Sequence, residues 1–128
     1  MTKLVRYSTI RFILYADTQE FVNVGIIIHA PKCGMLLFKL PEVQSKRVSQ
    51  FFENIDHDLY KNAAKMVITD LKRIQNLISG MDDKELAALM DEVTKPKEAS
   101  LTYSKSSALL TKAPLKIVLD DLFNKYVR

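Results

Sequence analysis

The chain is poor in the residues that staple or punctuate a fold: one cysteine, three glycines and four prolines among 128 residues. One thiol cannot close a disulfide within the chain or complete a four-ligand zinc site. A disulfide-free chain suits a reducing compartment. Cys33 lies in Pro31-Lys32-Cys33-Gly34, a turn, and reads as an incidental thiol rather than a nucleophile. The few glycines leave no phosphate-cradling loop, and neither a serine nucleophile elbow nor a His-Glu-x-x-His helix is present. The opening Met1-Thr2-Lys3-Leu4-Val5-Arg6-Tyr7 lacks the apolar stretch of a signal peptide. Apolar runs such as Gly25-Ile26-Ile27-Ile28 are far too short to cross a bilayer, so a cytoplasmic protein without membrane contact is expected. No charge sign dominates either, the net charge being +4.

What is there describes one globular domain, residues 1–128. Apolar residues make up 48% and charged residues 27%, ordinary for a soluble fold. A chain of this length buries roughly two-thirds of its unfolded surface and needs no staple.

Residues 1–40 read as a β-meander. Residues 4–15 are rich in Val, Tyr, Thr, Ile and Phe, which suit a pleated surface. Strict alternation places Leu4, Ser8, Ile10, Phe12 and Leu14 on one face, and Tyr7, Thr9, Arg11, Ile13 and Tyr15 on the other. Residues 16–19 form a turn. In residues 21–29 the same alternation groups Val22, Val24, Ile26 and Ile28 against Phe21, Asn23, Gly25, Ile27 and His29. A third strand over 35–40 follows the Pro31–Gly34 turn.

Residues 41–93 read as helical. Pro41 opens a short helix marked by Val43, Val48, Phe51, Phe52 and Ile55. Asp56 or Asp58 caps a longer one with a stripe of Leu59, Ala63, Met66, Val67, Leu71, Ile74, Leu77 and Ile78, stopped at Ser79-Gly80. Asp82 or Asp83 starts another, with Leu86, Leu89, Met90 and Val93. Residues 94–128 hold a loop, a fourth strand over 101–103 and a C-terminal helix opened by Pro114. Its stripe is Leu115, Val118, Leu119, Leu122, Phe123 and Tyr126. The expectation is an α+β fold: a three- or four-stranded antiparallel meander whose one face is covered by three or four helices.

Asn23 and Gly25 stand mid-strand, where both residue types are depleted. Gly there marks a bulge or a close backbone approach, and Asn brings two donors and an acceptor among apolar neighbours. One reading is structural: Asn23 satisfies backbone groups at a bulge and Gly25 admits the covering helix. The other is a polar sheet site of Tyr7, Arg11, Glu20, Asn23 and Gly25, provided the register brings them together. Arg11 and Glu20 also read as a cross-hairpin ion pair. His29 and His57 stand far apart, and Asp56-His57-Asp58 reads as capping rather than metal binding. No catalytic residue, metal or cofactor is assigned. For nucleic acid, the candidate contacts are Lys46, Arg47, Lys95, Lys97, Tyr103, Lys105 and Lys112. Residues 95–112 carry four Lys against Glu98 alone, a local +3.

Tyr7-x-x-x-Arg11-Phe12, followed by Glu20-x-x-Asn23-Val24-Gly25-Ile26, resembles the bacterial domain-of-unknown-function family numbered 3037. The closing Leu119-x-x-Leu122-Phe123-x-x-Tyr126-Val127 resembles that family's last helix, so the resemblance spans nearly the whole chain. Leu14-Tyr15-Ala16-Asp17 departs from the family's frequent Pro-Asp turn. Some members are encoded beside a kinase-like protein similar to the HipA toxin. The resemblance therefore implies a non-enzymatic interaction module, the accessory or regulatory subunit of a kinase-like or toxin–antitoxin-type system. A partner strand, or a second copy of the chain, would add at an open sheet edge. The alternatives are a nucleic-acid-binding module and a small enzyme built on the polar sheet site.

Overall fold

The computed structural model describes residues 2–15, 20–30, 34–41, 57–78, 81–93 and 101–127. The long β-branched and aromatic stretch at the start forms one strand, β1 (Lys3–Tyr15). It pairs antiparallel with β2 (Glu20–Ala30), which pairs antiparallel with β3 (Met35–Lys39). Gly34 precedes β3 at φ 60, the left-handed region that a side chain disfavours.

On the other side of β1 lie two short strands, β4 (Leu101–Tyr103) and β5 (Ser107–Thr111). Together they make one interrupted edge. β4 pairs with residues 10–12 and β5 with residues 3–7, and the register slips by one between them. Ser104, Lys105 and Ser106 therefore face only Ser8 and Thr9. Two hydrogen bonds hold the slip: Thr9 N–H donates to Ser104 Oγ at 2.9 Å, and Ser104 N–H to the Thr9 carbonyl at 2.9 Å. The sheet has five strands in the order β3-β2-β1-β4, with β5 also on β1.

Three helices are described: α1 (His57–Leu77), α2 (Asp83–Val93) and α3 (Leu115–Tyr126). The expected short helix over 43–55 lies outside the described residues, as do the two turns at 16–19 and 31–33 and the Ser79-Gly80 stop. Asp82 caps α2, its carboxylate accepting from Glu85 N–H at 2.8 Å.

The helices do not share one face of the sheet, as expected, but flank both. α1 and α2 cover the first face, burying Ile10, Phe12, Val22, Val24, Ile27, Leu36, Leu40 and Leu101. α3 covers the second, burying Val5, Ile26, Ile28 and Ala30. The reason is visible in β2. Ile26, Ile27 and Ile28 are all buried, so both faces need a cover. Each such burial stabilises by roughly 1.5–3 kcal/mol.

The inward stripe of α1 is Tyr60, Ala64, Ile68, Leu71, Ile74 and Ile78. The expected stripe included Met66 and Leu77, which are 72% and 57% exposed. At about 100° per residue they lie roughly 115–140° round the helix from the true centre. Tyr60 is buried edge-on against Phe12, its hydroxyl donating to the Pro41 carbonyl at 2.7 Å. Burial pushes that hydroxyl's pKa up to about 12.

Candidate functional site

The Asn23-Val24-Gly25 segment is the structural pivot of the sheet. Up to Gly25, opposite Ile10, the β1–β2 register is regular; it resumes with Asn23 opposite Arg11. Val24 is the extra residue of a β-bulge. The bulge resets the alternation of β2. Val22 and Val24 join Ile27 on the first face, while Asn23 joins Ile26 and Ile28 on the second. The even alternation expected from sequence is thus broken at Val24, and Asn23 and His29 fall on opposite faces.

Gly25 answers to close approach. A Cβ there would lie 2.6 Å from the Lys39 carbonyl oxygen and 3.0 Å from Leu40 Cδ1. What crowds it is the end of β3, not a covering helix. Asn23 pins the opposite layer: its Nδ2 donates to the Tyr126 carbonyl at 3.2 Å, in the last turn of α3. A helix end leaves such carbonyls without intrahelical partners, and the Asn amide supplies one.

Tyr7, Arg11 and Asn23 do share the second face. The Tyr7 and Tyr126 hydroxyls are 3.4 Å apart with tilted rings, and this hydrogen bond together with burial raises the Tyr7 pKa above its ordinary value. Arg11 lays its guanidinium 4.1 Å over the Phe21 ring. The register sets Glu20 opposite Tyr15 and Asn23 opposite Arg11, so Arg11 and Glu20 are not cross-strand partners. Gly25 belongs to the first face.

Thr9 Oγ1, Arg11 Nε and Asn23 Oδ1, all on this second face, have no hydrogen-bond partner among the described residues. Each costs about 1–3 kcal/mol. They are sealed from water, so a ligand reaches them only if the cover moves. Tyr7 and Asn23 tie α3 to the sheet.

On the first face His29 is buried, and its Nε2 has no partner among the described residues. Burial first, then the Arg6 charge, lowers its pKa to about 4, with Asp91 opposing. Tyr103 also belongs to this face. Its ring packs on the α1–α2 core and its hydroxyl pKa is pushed up to about 12 by burial and by Asp70. Lys105 and Lys112 are exposed, Lys105 at the slip between β4 and β5. Lys46, Arg47, Lys95, Lys97, Cys33 and the side chains of Glu20 and His57 lie outside the described residues. Among the described residues no three His, Cys, Asp or Glu gather as a metal site, and no helix is long and apolar enough to cross a membrane.

An open concavity lies at the β3 edge, and sequence alone does not reveal it. A groove of about 640 Å³ wraps the β3 edge, with Met35, Leu37, Phe38, Leu115 and Leu119 among its lining. Met35 is 44% exposed. Gln75 of α1 also lines it and donates from Nε2 to the Leu36 carbonyl at 2.8 Å, capping part of the strand edge.

These features define a small α+β domain: a five-stranded antiparallel sheet with helices on both faces. The chain matches the family described as a protein of unknown function, DUF3037, over residues 7–127, and belongs to it. Neither a curated protein nor a solved structure matches the chain.

Proposed function

We propose that the chain is a non-enzymatic protein–protein interaction module. Its role is accessory or regulatory subunit of a kinase-like or toxin–antitoxin-type system in the bacterial cytoplasm. The observation that carries this reading is the groove on β3, an open apolar concavity on a domain where Tyr7 and Asn23 of the sheet are engaged with Tyr126 of α3. Clefts of several hundred Å³ lined by apolar side chains are where proteins take up ligands and partner side chains. The resemblance to a family some of whose members are encoded beside a HipA-like kinase supplies the partner class.

The test is co-expression with the neighbouring kinase-like gene product and light scattering after size exclusion. The reading expects a stable heteromeric mass. A chain that elutes only as itself in the presence of that product contradicts it.

A further inference from the structure

We infer that the β3 groove receives an acidic, apolar-bearing segment of a partner protein, held through its side chains. This rests on the interaction-module reading and adds the chemistry of the occupant. The groove's floor is apolar, and its charged lining residues are Lys3 and Lys116 alone, with no carboxylate among the described lining residues.

Three further features make this end of the molecule positive. Lys116 sits in the first turn of α3, which holds no acidic residue, so the positive end of the helix dipole is not offset there. Thr111 lies opposite Lys3, which brings the exposed Lys112 to the same end of the sheet. Asp120 of α3 is engaged at 3.5 Å with Lys39, whose ammonium also lies 4.5 Å over the Phe123 ring. An apolar floor with a basic rim complements a segment whose apolar side chains alternate with carboxylates.

Strand addition is the weaker mode here. Gln75 already occupies the Leu36 carbonyl, so an incoming strand must first displace it. Side-chain insertion leaves that bond intact.

The experiment uses the full chain and two fluorescein-labelled peptides. One alternates Leu-Phe pairs with Asp-Glu pairs; the other carries Lys in place of every acid. Anisotropy gives affinity, and methyl NMR locates the contact. The acidic peptide is expected to bind and to shift Met35, Leu37, Leu115 and Leu119. Affinity should fall with added salt, and the Lys3→Glu, Lys116→Glu double variant should weaken it about ten-fold. The same variant should gain affinity for the lysine peptide, which shows that it is folded. Equal binding of both peptides, no binding, or shifts confined to the exposed Leu4 and Leu110 would overturn the inference. A neighbouring gene product that binds wild type and double variant alike would overturn the groove assignment and leave the interaction-module reading standing. Absence of any complex with that product, with the acidic peptide still seated on the groove, would do the reverse.

Discussion

The two faces of one sheet are built by different means. The first face is a broad apolar layer under α1 and α2, with polar groups buried singly: Tyr60 bonded to Pro41, and His29 with no partner for Nε2 among the described residues. The second face is narrower. α3 covers its apolar half, and at the helix end the contact is polar, through Tyr7 and Asn23. The difference teaches what a bulge accomplishes. By inserting Val24, β2 sends apolar residues to both faces and still delivers one amide to the end of α3.

The largest break in this comparison should come from Gly25. Gly25→Val drives a side chain into the Lys39 carbonyl and should cost about 3 kcal/mol or more, read as a lower denaturation midpoint. It disturbs the β2–β3 junction under the first face.

Next in size is the pH dependence of the first face. The folded-state pKa of His29 is about 4, below the 6.5 of an unfolded histidine. The unfolded chain therefore binds the proton first. Stability is complete above pH 6.5 and is lost as pH falls from there towards 4, by about 2–3 kcal/mol. Urea melts across that window should show the slope, and His29→Leu should remove it.

Asn23→Ala probes the second face alone. Loss of the bond to the Tyr126 carbonyl should cost about 1–2 kcal/mol. Amide exchange should quicken in α3 and stay unchanged in α1. The smallest effect belongs to Tyr60→Phe, which removes the bond to Pro41 and should cost about 1 kcal/mol while retaining the ring contact with Phe12.

Much of the fold is legible where periodicity is undisturbed. The meander and the last helix follow from alternation in β1 and from the Leu115–Val118–Leu119–Leu122–Phe123 stripe, all buried as expected. β5 is not legible, because Ser107, Ala108 and Leu110 are exposed; it is a strand because β1 offers an edge to pair with. Tyr60 is missed because its hydroxyl disguises a core residue. A bulge at Asn23-Val24-Gly25 is suggested by depleted residue types, but its consequence is not: one extra residue silently exchanges the faces of everything beyond it. The groove is illegible for a simpler reason. Leu115 and Leu119 read as core positions, and only the tertiary fold shows that they end against an uncovered part of β3.

The exchange of faces at Val24 is the central claim, and methyl NOE spectroscopy tests it directly. Ile26 and Ile28 methyls should show contacts to Leu119 and Leu122 of α3. Val22 and Val24 should instead report the core they share with Ile68 and Leu71 of α1. Contacts from all four of these β2 residues to the same helix would mean that the strand alternates without a bulge, and would contradict the account.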